Sequence, residues 1–284
     1  MHALPFLLAL AAAAILAPAV LRTLSDAGLT RSNFRARELP FPFGILSLVA
    51  ALVALIPLAL WQKLGSGNVL PLETQTVALY VLGVAVLGLI DDTLAGEHGD
   101  PQSGQLHPRG WRGHGGATLQ GKLSTGLLKA VGSLGLALFV LINVEVSTGR
   151  YLLAVAVLVL ATNVFNLLDL RPGRSIKAFV LLGAGLTIGS SGLGALWTLG
   201  LFVAPALVAG LYDLRERAML GDTGANLLGA LAGLWLILTL SDTGQAIALV
   251  LLLLITVYGE FRSISALVER TPGLRALDSW GRPS

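Results

Sequence analysis

The feature that most constrains this chain is the confinement of its charges. Nine apolar runs, near residues 3–21, 41–61, 76–90, 123–142, 151–168, 178–190, 194–212, 223–240 and 246–259, fill most of the 284 residues, and ionisable side chains fall almost entirely between them. Apolar runs of about 20 residues are the mark of helices that cross a bilayer. The third, sixth and ninth runs are shorter and are expected to extend into polar flanks or to lie in a locally thin region. Composition agrees: 55% of residues are apolar and 12% charged, against about a quarter charged in a soluble domain. Mean hydropathy is +0.79. A soluble domain, a disordered chain and a nucleic-acid binder are excluded. With no cysteine, disulfides, thiolate nucleophiles and cysteine-bound metals are excluded as well. The expectation is a single all-α domain over 1–284, a polytopic membrane helix bundle of about nine transmembrane helices, with 260–284 as a cytoplasmic or interfacial tail.

Basic residues set the expected orientation. Segments 22–40, 91–122, 169–177, 213–222 and 260–284 carry 16 of the 19 Lys and Arg residues, the alternate loops carry only Lys63 and Arg150, and Lys129 lies inside a run. The five basic segments are therefore predicted to face the cytoplasm, with the N-terminus outside and the C-terminus inside. Ala17-Pro18-Ala19 offers a small-residue cleavage site, but no Lys or Arg precedes the first run, and cleavage would put the Arg-rich segment 22–40 outside. The first run is read as a true span. No fixed-period repeat or transporter-type inverted repeat is visible. Ala225, Gly229 and Gly233, spaced by four, predict close helix packing in the eighth span.

The acids follow the same asymmetry and mark the ends of particular spans. Asp91 and Asp92 close the third, Asp169 closes the fifth and Asp222 opens the eighth. Two readings stand for Asp222, a helix N-cap or a functional carboxylate. Asp91, Asp92 and Asp169 sit at predicted helix C-termini, where the dipole disfavours an anion, and Asp91 and Asp92 repel one another unless a cation or shared proton lies between them. Something at this face must compensate them. Asn163 and Asn166, three apart on one helix face, serve either as interhelical glue or as partners for a polar ligand. Lys129, about 10 Å into its helix, either snorkels to the headgroups or is functional. Acid clusters at several helix ends suit a hard divalent cation such as Mg²⁺, which takes oxygen ligands and keeps positions open for substrate phosphates. Such a site at a membrane boundary suits phosphoryl transfer between a soluble nucleotide and a lipid phosphate.

At these residues the chain resembles the polyprenyl-phosphate N-acetylhexosamine-1-phosphate transferase superfamily, which includes the phospho-N-acetylmuramoyl-pentapeptide transferases. That family's pattern is an Asp-Asp pair ending a helix, an Asn-x-x-Asn-x-x-Asp helix end, and a later Gly-Asp-x-Gly opening a helix. Here these are Asp91-Asp92, Asn163/Asn166/Asp169 and Gly221-Asp222-Thr223-Gly224, in that order, within a match over about residues 31 to 262. Arg31-Ser32-Asn33-Phe34-Arg35 followed by Pro40 resembles the family's first cytoplasmic segment. The resemblance implies Mg²⁺-dependent transfer of a sugar-1-phosphate from a UDP-sugar to a polyprenyl phosphate, with release of UMP, at the cytoplasmic face of a bacterial inner membrane. Carried over, Asp222 is the principal Mg²⁺ ligand with Asp169 beside it. One of Asp91 and Asp92 acts as base on the lipid phosphate or helps to hold it. Lys129 contacts phosphate, with Lys122 as the alternative, and Asn163, Asn166 and Asp169 line the nucleotide side. A homodimer is compatible with the family.

Two departures bear on function. Where the family continues Asp-Gly-x-Asp-Gly, this chain reads Asp169-Leu170-Arg171-Pro172-Gly173, so Arg171 and Arg174 are expected to supply diphosphate contacts instead. The family's late His-rich loop has no counterpart. The Gly-rich stretch 96–121, with His98, His107 and His114, reads as a solvated or phosphate-covering loop rather than a three-His metal site. Ile264, Leu267 and Val268 share a face before Pro272, predicting a short interfacial helix with Trp280 near the headgroups. A transporter is disfavoured because the acids cluster at one face rather than at the midplane. A non-catalytic scaffold derived from the same fold is the alternative to the enzyme.

Overall fold

The computed structural model describes residues 2–65, 68–94 and 125–283. It is built almost wholly of helices: α1 Leu4–Asp26, α2 Ile45–Leu64, α3 Leu72–Leu94, α4 Thr125–Leu141, α5 Thr148–Leu168, α6 Arg174–Ser190, α7 Gly194–Leu214, α8 Gly221–Thr239 and α9 Asp242–Phe261. Two short helices, α10 Ile264–Arg270 and α11 Pro272–Ser279, form the tail. Each apolar run read from the sequence falls on one of α1 to α9. Among the described residues, seven helices (α1, α2, α3, α5, α7, α8 and α9) are long and apolar enough to cross a membrane. The other two, α4 and α6, have 17 residues each, about 26 Å of rise.

The centre of the bundle is α8, nearly all of whose residues are buried. It packs chiefly against α5 and α3, with α6 and α7 completing its surround. Small residues make this approach possible, as the four-residue spacing predicted. A Cβ on Gly229 would lie 2.5 Å from Thr162 Cα, and one on Gly233 would lie 3.1 Å from Leu158 Cα. On the other side, a Cβ on Gly88 of α3 would lie 2.5 Å from the Asp222 carbonyl oxygen. The α3 and α8 backbones therefore touch where their acids meet. The outer helices carry their large apolar side chains exposed, α9 above all with Ile247, Val250, Leu251 and Leu254, as a lipid-facing surface requires.

One element departs from the all-helical expectation. Within the predicted basic segment 22–40, β1 (Thr30–Ser32) pairs antiparallel with β2 (Glu38–Pro40), Arg31 opposite Leu39. The turn is held by Asn33, whose Oδ1 accepts from the amides of Arg35 and Arg37 at 2.8 and 3.0 Å, a local side-chain bond typical of Asn. The strand then runs on alongside residues 219–220. Met219 N donates to Pro40 O, Phe43 N to Met219 O and Gly44 N to Leu220 O, at 2.7 to 2.9 Å. The hairpin is thereby fixed to the backbone just ahead of Asp222. The tail also differs from its prediction, forming two helices with Ile264 buried and Trp280 exposed.

Candidate active site

Asp91, Asp92, Lys129 and Asp222 come together where the last turn of α3, the first turn of α8 and the second turn of α4 meet. Asp92 is the cap that the first turn of α8 requires. Its Oδ1 accepts from Asp222 N at 2.9 Å, and its Oδ2 accepts from Thr223 N at 2.8 Å and from Thr223 Oγ1 at 2.6 Å. The free amides and positive end of α8 thus compensate an acid that the negative end of α3 disfavours. The N-cap reading of Asp222 is corrected by this: the cap comes from a different helix, and the side chain of Asp222 is released for other work. Gly221 makes the junction possible. Its φ is +70°, and a Cβ there would sit 2.7 Å from Asp92 Oδ2 and 2.8 Å from the Phe41 ring.

The freed carboxylate of Asp222 and that of Asp91 converge on one ammonium. Lys129 Nζ donates to Asp91 Oδ2 at 2.8 Å and to Asp222 Oδ2 at 2.5 Å. Its side chain is only 17% exposed, so Lys129 turns inward to the acids instead of snorkelling. Three carboxylates and one ammonium leave this cluster with a formal surplus of negative charge. Asp91 and Asp222 present oxygens to a single small cation, which is a donor set that Mg²⁺ uses when phosphates complete its coordination. Among the described residues, no group of three His, Asp or Glu side chains is arranged to hold a metal, so any such ion would rest on two carboxylates and its substrate.

The remaining predicted residues lie around this cluster in different company. Asn163 Nδ2 donates to Thr256 Oγ1 of α9 at 3.3 Å, the interhelical-glue role. Asn166 Oδ1 is buried with no hydrogen-bond partner among the described residues, an acceptor left for something else. Asp169, just past the end of α5, accepts from Ser175 Oγ at 2.6 Å. Burial first, and then the negative charge of Asp213, push its carboxyl well above the usual range. Asp169 and Asp222 feel each other's charge, but the structure brings them into no direct bond, so the expected metal pair does not form as such. Arg171 pairs with Glu269 at 3.0 Å while lying 4.5 Å over the Phe34 ring. Arg174 is buried and grips Asp278 with Nε and Nη2 at 2.8 and 3.2 Å. Both arginines expected at a diphosphate are thus engaged by acids of the tail. Lys122 and the histidine-bearing stretch 96–121 lie outside the described residues.

Sequence reading missed Asp213. It is buried at the end of α7, where its Oδ2 accepts from Gly173 N at 2.6 Å and its Oδ1 from Leu220 N at 3.3 Å. It therefore ties the loop after Asp169 to the loop before Asp222. The signal was present: Asp213 directly follows an apolar run ending at residue 212, as Asp91 and Asp169 follow theirs. No protein-family model matches the chain, and a search of curated proteins finds no match.

Proposed function

We propose that this protein is an integral membrane enzyme that transfers a sugar-1-phosphate from a UDP-sugar to a polyprenyl phosphate and releases UMP. The observation that carries the reading is the convergence of Asp91 and Asp222 on one cationic point, with Asp92 fixing the helix that presents Asp222. The reading includes nine spans, α4 and α6 among them, with the acid-bearing end facing the cytoplasm as the basic-residue asymmetry implies. The setting would be a bacterial inner membrane.

In this account Asp222 and Asp91 are the residues that would hold Mg²⁺. Bound there, the ion would supply the charge stabilisation that phosphoryl transfer needs. Lys129, on a flexible four-carbon stem, moves from the carboxylates onto phosphoryl oxygens. An oxygen of the lipid phosphate bonds to the β-phosphorus of the UDP-sugar. The bond from that phosphorus to the bridging oxygen breaks, and UMP departs with the electron pair. Any proton on the attacking phosphate passes to Oδ1 of Asp91, the oxygen turned away from the cationic point, on the acid of the pair not committed to α8 amides. Asp92 positions Asp222, and Asn166 offers its unpartnered carbonyl to the nucleotide.

A second reading, a non-catalytic scaffold, is favoured by Pro172 in place of an acid and by the engagement of Arg171 and Arg174 with the tail. The experiment that separates the two uses purified protein in detergent with Mg²⁺, undecaprenyl phosphate and a panel of UDP-sugars. The enzyme reading predicts UMP release that requires the lipid, yields a lipid-linked sugar phosphate, and collapses in Asp222→Asn and Asp92→Asn. Folded protein that neither turns over nor binds Mg²⁺ or UDP supports the scaffold.

A further inference from the structure

Phosphate recognition at a carboxylate-lined site is best served by a cation that the site's own acids have not already engaged. Seven of the basic residues around this end of the bundle are already engaged. Arg35 and Arg37 lie 3.5 and 3.8 Å from the carboxylate of Glu216. Arg171 pairs with Glu269, and Arg174 and Arg282 share Asp278. Lys177 Nζ donates to the carbonyls of Leu277, Asp278 and Trp280. Lys129 lies between Asp91 and Asp222.

Arg31 is different. It is exposed on the β1–β2 hairpin, and among the described residues no carboxylate or carbonyl lies within bonding distance of its guanidinium. Its place is nonetheless fixed, because the guanidinium carbon sits 4.0 Å from the centre of the Phe41 ring, a cation–π contact. Phe41 is buried, and its ring edge and Asp92 Oδ2 flank the same Gly221 α-carbon. Arg31 is not ion-paired with Asp92, whose carboxylate accepts from the α8 amides. Hydrogen bonds between residues 40–44 and 219–220 lock this platform to the backbone that carries Asp222. The result is a guanidinium with its donors free, held beside the acid cluster on a rigid support. That arrangement suits bidentate binding of a phosphate.

We infer that Arg31, rather than Arg171 or Arg174, is the guanidinium that binds a substrate phosphate at this site. The inference rests on the transferase reading for the identity of the substrates. The phosphate is either the diphosphate of the nucleotide or the headgroup of the lipid, and the two arms of the test tell them apart.

Dissociation constants for UDP and for farnesyl phosphate, each with Mg²⁺, are measured by calorimetry on the full chain in detergent. The proteins are wild type, Arg31→Gln, Arg31→Lys and Arg37→Gln, with melting temperature recorded for each. Arg31→Gln is expected to weaken one of the two ligands about tenfold or more, as loss of a charge-assisted contact does. Arg31→Lys should recover part of that loss, and Arg37→Gln, on the same hairpin, should change either constant less than twofold. The ligand that weakens identifies the phosphate. Wild-type protein that binds the ligands while Arg31→Gln binds them equally well overturns the inference, as does an equal weakening in Arg37→Gln, which would mean diffuse charge. Loss of the Phe41 contact is expected to lower the melting temperature of Arg31→Gln only slightly. An effect of Arg31→Gln on binding stands whatever the turnover with UDP-sugars, which tests the transferase reading separately, and failure of wild type to bind either ligand would defeat both.

Discussion

Two clusters of acids and bases lie at the same end of the bundle, and they are built in opposite ways. In the first, Asp91, Asp92 and Asp222 outnumber Lys129, and the ammonium is the only cation bonded to them among the described residues. In the second, Asp278 is outnumbered by Arg174, Arg282 and Lys177, and the surplus donors end on carbonyls, Lys177 on three of the tail and Arg282 on Pro172 O at 2.7 Å. The tail clasp is saturated and closed on itself. The α3–α8 cluster retains excess negative charge around its one lysine. The difference teaches that charge clustering alone does not mark a site. What matters is whether the cluster's donors and acceptors are used up internally.

The comparison can be broken most severely at Asp222. Asp222→Asn should lower turnover about a thousandfold, several kcal/mol of lost charge stabilisation, with the melting temperature little changed because Asp92 still caps α8. Retained turnover in a folded variant would place the chemistry elsewhere. Asp213→Asn should have the next largest effect. Both loops would lose a charged acceptor that each amide uses, at about 1.5–3 kcal/mol per bond, so both melting temperature and turnover should fall, turnover by about ten- to a hundredfold. A drop in stability with turnover per folded molecule intact would limit Asp213 to the fold.

Asp169 sharpens the contrast through pH. Its carboxyl is held above the ordinary range by burial and by Asp213. Because the native state keeps the proton longer than the unfolded chain does, stability falls as pH rises from the ordinary carboxylate range toward the raised native value. Asp169→Asn, which has no proton to lose, should therefore gain melting temperature relative to wild type as pH goes from 4 to 7, while Ser175 keeps an acceptor. Parallel pH profiles for the two proteins would contradict this.

The smallest effect on turnover is expected at the clasp. Asp278→Asn should change turnover less than threefold while exposing residues 264–283 to protease and to hydrogen exchange. The carboxyl of Asp278 is pushed up by burial but drawn down further by Arg174 and Arg282, to a net position below the usual range. Its contribution is therefore full above its unfolded pKa and lost only as pH falls through the lowered native value. Protection of the tail should stay flat from about pH 5 to 7 and begin to fall only below about 4. Loss of turnover in Asp278→Asn would join the two clusters into one functional unit.

The sequence made the helical frame and the central acids legible for a common reason: both are written in local pattern. Apolar runs located α1 to α9, and the four-residue spacing of Ala225, Gly229 and Gly233 located the tight face of α8. The awkward placement of Asp91 and Asp92 at a helix C-terminus foretold a compensating partner. The identity of that partner was not legible, because the amides of Asp222 and Thr223 lie 130 or more residues away from Asp92 in the chain. The same holds for Arg174, whose partner Asp278 comes from the tail 104 residues on. Strands of three residues carry too short an alternation to stand out, so the segment that holds Arg31 reads in the sequence as basic and similar to the family's first cytoplasmic segment, with no sign of its hairpin.

The most direct test of the central claim is Mn²⁺ binding by electron paramagnetic resonance, on wild type and Asp222→Asn in lipid nanodiscs, with and without UDP. The account predicts that wild type binds Mn²⁺, that UDP tightens the binding, and that Asp222→Asn abolishes both. Binding that is identical in the two proteins, or absent from wild type even with UDP, would contradict a divalent-cation site on Asp91 and Asp222.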